Sequence, residues 1–142
     1  MSTHPNTLRK IVVTQTDLER LQRLLEQSSG GANAERAEVL DLELAEAEVA
    51  ASEAIAPSVV TMNSTVVFED EGTGEHQEVT LCYPHDAKGS PGRVSVLAPV
   101  GSALLGLSAG QSVQLVVPGG RTRRLRVVAV PYQPEAAGHF HL

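Results

Sequence analysis

The sequence predicts an α+β protein in which a short antiparallel coiled-coil hairpin precedes an antiparallel β-domain that carries one short helix. The twelve glycines and eight prolines of the 142-residue chain support this division, because only three of them lie in the first 56 residues. Leucines at helical spacing occupy that part, whereas β-branched residues become dense after it. We therefore expect a helical hairpin over residues 1–56 and a β-domain over 57–142. Proline disfavours helical geometry in the residue before it, so the boundary falls at Ala56-Pro57.

The first predicted helix begins at Thr16. This threonine can cap the helix, and Glu19 occupies the capping-box position three residues later. Three leucines at spacings of three and four lie on one helical face: Leu18, Leu21 and Leu25. A short strand or extended arm over residues 8–13 precedes this helix.

The second predicted helix runs from about Ala34 to Ser52, with Asn33 as its cap. Its small and large apolar residues repeat at the spacing of a coiled-coil seam, at Ala37, Leu40, Leu44, Ala47 and Ala51. Further apolar side chains are expected to widen this face onto the first strand or the second domain, namely Val39, Leu42 and Val49. Because the connecting loop is short, the two helices should form an antiparallel hairpin.

Alternating apolar and polar residues predict the strands of the β-domain. The predicted strands cover residues 59–61, 64–69, 77–83, 93–97, 112–117 and 123–132. A helix of one or two turns is expected over 100–105, and a long polar loop over 84–92.

The composition excludes several classes of protein. Aromatic residues are only 3% of the chain, which argues against binding surfaces that stack on bases. The formal net charge is −6, and the first 56 residues carry five basic against ten acidic side chains, so we expect no direct binding of nucleic acid. A single cysteine, Cys82, indicates a reducing compartment. With no long apolar stretch and no signal-peptide pattern, we expect a soluble cytoplasmic protein without a membrane partner.

No pattern of catalytic residues emerges from the sequence. It lacks a phosphate-binding GxxxxGK[ST] loop, a GxGxxG motif and a GxSxG nucleophile elbow. Cys82 lies inside a predicted strand, and we interpret it as unreactive. The histidines lack the further ligands that a metal site needs, and we interpret His76, His85, His139 and His141 as surface residues. We predict a protein that is not an enzyme, with no catalytic residue, no cofactor and no metal.

Four arginines form the densest basic cluster, at positions 121, 123, 124 and 126. Along a strand their side chains point to both faces, so a single basic patch does not follow from the spacing. They are interpreted either as charges that protect a sheet edge or as contacts to an acidic protein surface.

Four segments are informative in combination: Val60–Ser64 (VTMNS), Ser95–Leu107 (SVLAPVGSALLGL), Val117–Gly120 (VPGG) and Tyr132–Gly138 (YQPEAAG). Together they resemble the Rnk family, the regulators of nucleoside diphosphate kinase, which is related to the bacterial Gre transcript-cleavage factors. The resemblance implies a coiled-coil finger joined to an FKBP-like β-domain. It also implies RNA polymerase as the partner, because Gre-type factors dock the β-domain at the rim of its secondary channel and insert the finger.

The finger tip departs from the Gre pattern. Gre-type tips carry paired acidic residues that help to hold a catalytic magnesium ion, and carboxylates suit that ion. The tip here offers no carboxylate in its loop, and the nearest, Glu26 and Glu35, lie in the helical shoulders; the loop residues include Ser28, Ser29, Gly30, Gly31 and Asn33. We therefore predict polymerase binding, in competition with Gre-type factors, without stimulation of transcript cleavage.

The docking turn also departs from the Gre pattern. Where Gre factors typically read Asp-Ser-Pro, this chain reads Leu97-Ala98-Pro99, which keeps the rigid proline and loses the acidic contact. With Val100, this turn is the first candidate interface with polymerase. Arg121, Arg123 and Arg124 complete the set of candidates.

Two other classes of function stay open at this point. One is an enzyme-type activity, either transcript-cleavage stimulation or prolyl isomerisation. The other is a general interaction module whose acidic hairpin binds an unrelated basic protein. We expect a monomer, although Leu18, Leu42 and Val49 can seal against either the chain itself or a second copy.

Overall fold

The structure is a computed structural model that describes residues 11–27, 34–88, 91–116 and 120–139. The first described element is β1 (Val12–Thr14), and α1 (Gln15–Gln27) follows it directly. The second helix, α2 (Ala34–Ala45), runs back to β2 (Glu48–Ala50), and β2 pairs with β1 in parallel. Two helices and a two-stranded ribbon therefore make up the first part of the chain.

The first helix is capped two residues earlier than the sequence predicted. The backbone N–H of Asp17 donates to Oγ1 of Thr14 over 2.9 Å, so Thr14 is the capping residue and Thr16 lies inside the helix. The strand β1 is the reason, because it carries the chain in extended geometry up to Thr14. Leu21 and Leu25 are buried on the inner face, as the leucine spacing predicted.

The seam of the hairpin is confirmed only in its first half. Ala37, Leu40 and Leu44 are buried against α1, whereas the helix ends at Ala45 and does not reach Ser52. The backbone N–H of Glu48 donates to the carbonyl oxygen of Ile11 over 2.9 Å and starts the pairing of β2 with β1. Pairing with a distant strand thus overrides a sequence that favours a helix, and it leaves Ala47 half-buried and Ala51 exposed.

The β-domain is one five-stranded sheet. Its strands are β3 (Thr65–Asp70), β4 (His76–Cys82), β5 (Arg93–Ser95), β6 (Ser112–Val116) and β7 (Thr122–Tyr132), and their order across the sheet is β5-β4-β3-β7-β6. Most neighbours are antiparallel, but β4 and β5 run parallel, so the prediction of an antiparallel sheet is wrong at this edge. The predicted strand at residues 59–61 is reduced to one bridge between Val59 and Ser108.

Two short helices accompany the sheet, where the sequence predicted one. The expected helix is α4 (Pro99–Leu104), and α3 (Pro84–Ala87) forms in the segment predicted as a loop. Proline at the first position of each helix explains both starts, since its fixed φ suits the first turn and its missing N–H costs nothing there. The segment that contains α3 also explains the parallel pairing, because a parallel strand needs a crossover rather than a tight turn.

A single core cluster includes side chains from both parts of the chain. Its largest fully buried members include Phe68, Leu81, Leu104, Leu125, Ile11 and Leu21. Gly106 marks the point of closest approach: it has a φ of +81°, and a Cβ there would collide with the side chain of Ile11. The backbone N–H of Val12 donates to the Gly106 carbonyl oxygen over 3.3 Å. The N-terminal segment is therefore packed onto the β-domain and is not an independent arm.

The expectation that three further apolar side chains would be covered is wrong. Val39 and Leu42 are 46% and 51% exposed, because Leu40 and Leu44 occupy the buried face of α2. Val49 lies in β2 and is 42% exposed. Among the described helices, none has both the length and the apolar character that crossing a membrane requires.

Candidate protein-binding interface

The turn Leu97–Val100 lies between β5 and α4 and is held by its own backbone. The backbone N–H of Leu97 donates to Oγ of Ser95 over 3.0 Å, and that of Ala98 donates to the Ser95 carbonyl oxygen over 3.0 Å. Leu97 is buried, whereas Ala98, Pro99 and Val100 are half-buried and form the accessible part of the turn. The turn therefore presents a small apolar surface on a rigid support.

Gly101 sets the distance between this turn and the sheet. A Cβ at Gly101 would collide with the carbonyl oxygen of Ser95 and would lie 3.1 Å from Cδ1 of Leu81. Only glycine lets the first turn of α4 pack this closely on the end of β5. Ala98 occupies the helix N-cap position without a side-chain hydrogen bond, so the turn lacks the polar group that usually stands there.

A buried polar cluster joins the base of α1 to the same end of the sheet. Oδ2 of Asp17 accepts a hydrogen bond from the backbone N–H of Met62 over 3.0 Å, and Asp17 is only 1% exposed. Its second oxygen, Oδ1, is buried and has no hydrogen-bond partner among the described residues. Burial raises the pKa of Asp17 to about 7, and the Glu135 carboxylate acts in the same direction, while the Met62 N–H and Arg20 act against it.

The C-terminal turn completes this cluster. Oγ1 of Thr61 donates to Oε1 of Glu135 over 2.7 Å. The buried Gln133 donates through Nε2 to the carbonyl oxygens of Ala56 and Val59, over 2.8 Å in each case. The YQPEAAG segment, which contributed to the family resemblance, therefore has a structural role: it ties the end of the chain to the segment that links the hairpin to the sheet.

Tyr83 follows β4 and belongs to the same cluster. Burial raises the pKa of Tyr83 well above its ordinary value, and the nearby Asp17 carboxylate adds to this effect. Cys82 is buried beside it and donates through Sγ to the Val94 carbonyl oxygen over 3.6 Å; burial also raises the pKa of its thiol. A raised pKa keeps the thiol protonated, which agrees with the interpretation of Cys82 as unreactive.

The candidate arginines lie at the other end of the sheet. In the register, Asp70 lies opposite Leu125 at the end where β3 finishes and β7 begins, whereas the Leu97–Val100 turn follows β5, whose last residue lies opposite Cys82. The structure therefore does not bring the two groups of interface candidates together.

Each of three arginines is paired with an acidic side chain of the neighbouring strand or turn. We call this set the acid–arginine ladder; it joins Asp70 to Arg123, Glu71 to Arg124 and Glu69 to Arg126, with nitrogen–oxygen distances of 2.9, 3.0 and 2.6 Å. The Arg123 guanidinium holds the pKa of the Asp70 carboxyl below its ordinary value. Beside the ladder, a cleft of about 740 Å³ is lined by Arg121, Thr73 and Gln114, among others. Because the ladder neutralises most of the basic charge, the cluster does not form a strong positive patch.

The finger tip lies outside the described residues, except at its first shoulder. Glu26 is exposed in the last turn of α1. Ser28, Ser29, Gly30, Gly31 and Asn33 fall outside the described ranges, as does the side chain of Glu35. The prediction of a tip without converging carboxylates therefore stays a prediction from the sequence.

The described histidines occupy different places. His76 opens β4 with Nε2 at 3.9 Å from Oε2 of Glu69, and His85 lies in α3. Nδ1 of His139 is hydrogen-bonded to the hydroxyl of Tyr132 over 2.7 Å. In the part of the chain that the structure describes, no three side chains of His, Cys, Asp or Glu come together in a way that could hold a metal ion.

Sequence reasoning missed the central residues of the polar cluster. Asp17 carries the usual signal of an acidic residue in the first turn of a helix, and that signal predicts exposure rather than burial. Glu135 stood in a segment used for the resemblance, but nothing in the sequence pairs it with Thr61. The glycines at 101 and 106 were visible within the SVLAPVGSALLGL segment, and a glycine inside an apolar run is a usable signal of close packing.

Two family models match separate parts of the chain. The family described as "Rnk N-terminus" matches residues 9–49, and the family described as "Transcription elongation factor, GreA/GreB, C-term" matches residues 55–132. A regulator of nucleoside diphosphate kinase from Escherichia coli is 42% identical over 132 residues, which is 93% of this chain and 96% of that protein. The chain belongs to the Rnk family. The resemblance seen in the four sequence segments is thereby confirmed.

A solved structure shows the same fold at clear sequence similarity. The structure titled as a prokaryotic transcription elongation factor GreA/GreB from Nitrosomonas europaea has a TM-score of 0.71 and 46% identity to this Rnk-family chain, and the match covers 87% of this chain and 99% of that one. Transcription elongation factor GreA from Desulfovibrio desulfuricans is 42% identical over 62 residues, but these are only 38% of its length. The Rnk-family chain is thus similar throughout to the former and in one part to the latter.

Proposed function

We propose that the protein is a non-enzymatic transcription regulator that binds RNA polymerase near the secondary channel and competes there with Gre-type factors. We further propose that it does not stimulate transcript cleavage. In this proposal the β-domain provides the docking contact, the hairpin occupies space, and the protein acts in the cytoplasm, where polymerase is found. The FKBP-like relationship of the β-domain belongs to the same proposal.

The observation that carries the proposal is the fold shared with a transcription elongation factor over nearly the whole chain, at 46% identity and a TM-score of 0.71. Because the fold and nearly half of the aligned residues are shared, a related partner is the simplest expectation. The match of the GreA/GreB C-terminal family to residues 55–132 supports the assignment of docking to the β-domain.

The sequence of the finger supports a role without cleavage stimulation. No carboxylate occurs from residue 27 to residue 34, between the helical shoulders that carry Glu26 and Glu35. The helix α1 has 13 residues and is therefore about 20 Å long. A short finger whose tip carries no carboxylate offers a magnesium ion only neutral oxygen donors, which hold the ion more weakly than the charged carboxylates of a Gre-type tip.

The dispersed aromatic side chains support the absence of prolyl isomerase activity. Phe68 is buried in the core, Tyr83 lies in the polar cluster, and the ring of Tyr132 contacts His139 at a centroid distance of 5.9 Å. The surroundings of these three rings therefore differ: one lies in the apolar core, one beside buried polar groups and one against a histidine.

A competition experiment tests the docking proposal. A labelled Gre factor bound to core RNA polymerase should be displaced by the unmodified protein. Ala98→Arg places a bulky cation on the accessible part of the docking turn and should weaken displacement about tenfold, the loss expected of an interface hot spot. Gln77→Arg is the matched control, because it places the same side chain at an exposed position on β4 that is not among the interface candidates. Failure of the unmodified protein to displace the Gre factor would contradict the proposal.

A cleavage assay tests the second half of the proposal. Backtracked complexes incubated with the protein should release cleaved transcript no faster than polymerase alone. Strong stimulation would show that carboxylates reach the metal, and the prediction for the finger tip would be wrong.

Regulation of nucleoside diphosphate kinase is a second candidate function, favoured by the name of the Escherichia coli relative. Direct contact predicts that the purified protein changes the activity of purified kinase when the two are mixed. An effect on expression predicts unchanged activity in the mixture and altered kinase levels in cells that lack the protein.

A further inference from the structure

The two edges of the five-stranded sheet differ in length and in charge. Strand β5 forms one edge; it has three residues, and the exposed Arg93 places a charge on it. Strand β6 forms the other edge, and its five residues, Ser112–Val116 (SVQLV), include no charged residue and no proline. Shortness, charge and proline are features with which natural proteins prevent an edge strand from pairing with another chain. The β6 edge lacks this protection.

Half of the β6 backbone is directed away from the sheet. The carbonyl oxygen of Gln111 accepts a hydrogen bond from the Val127 N–H over 2.9 Å, so it faces β7. Because β6 pairs regularly with β7 from residue 112 to residue 116, every second residue after Gln111 also faces β7 and the others face outward. The outward residues are Ser112, Gln114 and Val116. Among the residues that the structure describes, no backbone group bonds to the outward groups of β6.

The outward groups of β6 are complementary to those of a second copy. If two β6 strands meet antiparallel about a two-fold axis at Gln114, this residue lies opposite its own equivalent. Ser112 of each copy then lies opposite Val116 of the other. Every outward-facing residue therefore meets an outward-facing residue, which is the arrangement that the hydrogen-bonded pairs of an antiparallel ladder need. A contact of this isologous kind closes with two copies.

The side chains on the core face fit the same axis. Leu115 is buried, and Val113 is half-buried against the core. In the paired strands, Val113 lies opposite Leu115 of the second copy and forms an apolar cross-strand pair with it. This contact covers the part of Val113 that water reaches in the single chain.

The charge near the β6 edge does not oppose such a contact. Arg124 lies opposite Gln114 on β7, and Glu71 neutralises it at 3.0 Å. Residues 57–142 carry six basic and seven acidic side chains, so they contribute only one of the six net negative charges of the chain. Two copies that meet through β6 therefore bring together the nearly neutral part of each chain, away from the acidic first 56 residues.

We infer that the β6 edge is a homodimerisation surface, at which two copies join their sheets into one continuous sheet of ten strands, five from each copy. The second copy satisfies the outward backbone groups and forms the apolar pair of Val113 with Leu115 about one axis. An uncharged edge, in contrast, has no side chain that selects a charged partner strand. The inference does not depend on the proposed function, and it departs from the monomer that the sequence led us to expect.

Sedimentation velocity over a wide range of concentrations tests the inference. The unmodified protein should form a dimer as its concentration rises. Gln114→Pro removes the outward N–H at the axis from both copies, so two backbone hydrogen bonds are lost and the dissociation constant of the dimer should rise about tenfold. Proline is tolerated on an edge strand where the N–H faces solvent, so the circular dichroism spectrum should stay unchanged.

A charge variant gives a second test with a matched control. Gln114→Lys places a charge on the edge and should also weaken the dimer, whereas Gln77→Lys makes the same change at an exposed position of the inner strand β4 and should not. Equal weakening by the two lysine variants would overturn the inference, because it would show an effect of net charge alone.

Disulfide cross-linking tests the position of the axis. In Gln114→Cys the two Cα atoms of the pair would lie about 5.5 Å apart, within the range of a disulfide bond, so oxidation should cross-link the dimer. In Ser112→Cys, on the same side of the strand, the two equivalent residues would lie about 14 Å apart and should not cross-link. Cys82 is buried, so the unmodified protein should stay without a cross-link. Equal cross-linking of both variants would contradict the register.

The other possible occupants of the edge are distinguishable outcomes. A protein that stays monomeric at every concentration overturns the inference. If the Gln114 amide of that monomer is protected from hydrogen exchange, the chain covers its own edge. If the protein is monomeric and Gln114→Pro weakens its binding to RNA polymerase, the polymerase supplies the strand. A dimer that Gln114→Pro leaves intact and Gln114→Cys does not cross-link uses another surface, and the inference is wrong.

Discussion

Two groups of charged side chains at opposite ends of the sheet illustrate two uses of the same chemistry. The acid–arginine ladder pairs every acid with an arginine near the surface, where water and salt weaken the attraction. The polar cluster buries Asp17 at 1% exposure beneath the base of the hairpin and binds it to the Met62 N–H. The ladder joins the inner strands β3 and β7, so the interpretation of the arginines as protection of a sheet edge is wrong. The cluster, in contrast, fixes how the hairpin meets the sheet. Burial, more than the number of charges, decides which group matters for the fold.

The largest difference in the free energy of unfolding should come from adding a methyl group to a glycine at each end of the molecule. Gly106→Ala combines a left-handed φ with a collision at Ile11, and we expect it to lower the free energy of unfolding by about 3 kcal/mol. Gly74→Ala at the far end has a similar φ and nothing within 4 Å, so it should cost about 1 kcal/mol, from backbone strain alone. Urea denaturation measures both. Equal losses would mean that the N-terminal segment is not packed at Gly106.

The second largest effect should be a dependence of stability on pH that comes from the buried carboxyl of Asp17. The pKa of Asp17 is raised from 3.8 to about 7, so between these values the folded state holds a proton that the unfolded state has lost. The contribution of Asp17 to the free energy of unfolding is therefore fully present below about pH 4 and is lost as the pH rises through 7. Relative to Asp17→Asn, the unmodified protein should lose on the order of 3 kcal/mol between pH 4 and pH 8.

Asp17→Asn is the appropriate reference because the amide keeps an oxygen that can accept from Met62 and removes the titration. Asp70 at the other end has a lowered pKa, so its contribution has the opposite sign: it is present above the ordinary pKa and lost as the pH falls. Subtracting the curves of the two proteins removes this background. Parallel curves for the unmodified protein and Asp17→Asn would contradict the assignment.

The smallest effect should come from the ladder. A double-mutant cycle on Glu69→Ala and Arg126→Ala should give a coupling of about 0.5 kcal/mol, because both side chains are partly exposed. The coupling should fall further in 1 M salt, which screens exposed charges over a few ångströms. If the coupling were several kcal/mol and did not fall in 1 M salt, the ladder would stabilise the fold strongly, and the contrast with the buried polar cluster would be wrong.

Local patterns predicted most of the elements. Strands β3, β4 and β7 follow from alternation, and a short helix was expected over 100–105; the structure confirms these four elements within a residue or two. The leucine spacing likewise predicted the buried face of α1. The local pattern is wrong where a segment pairs with a strand that is distant in the sequence. Residues 48–50 form β2 and pair with β1, although the pattern predicts that they continue α2. Likewise, β5 pairs with β4 in parallel, although the pattern predicts an antiparallel sheet.

The interface residues stay a prediction, and only the structural setting of the candidates can be compared with what the sequence indicated. The Leu97–Val100 turn lies on the surface as a rigid support, as its proline indicated. Its separation from the arginines was not predictable, because strand order and register decide which loops share an end of a sheet. The exposure of Leu42 was not predictable either, since the helical pattern of α2 contains more apolar positions than one partner helix can cover.

Composition, spacing and motif are local properties, and they were enough to indicate helices followed by strands, the family, and a tip without carboxylates between Glu26 and Glu35. The burial of Asp17, the hydrogen bond between Glu135 and Thr61 and the exposure of Val39, Leu42 and Val49 follow only from the packing of the folded chain. Burial depends on which distant segments pack together, and a residue's neighbours in the chain do not encode that choice.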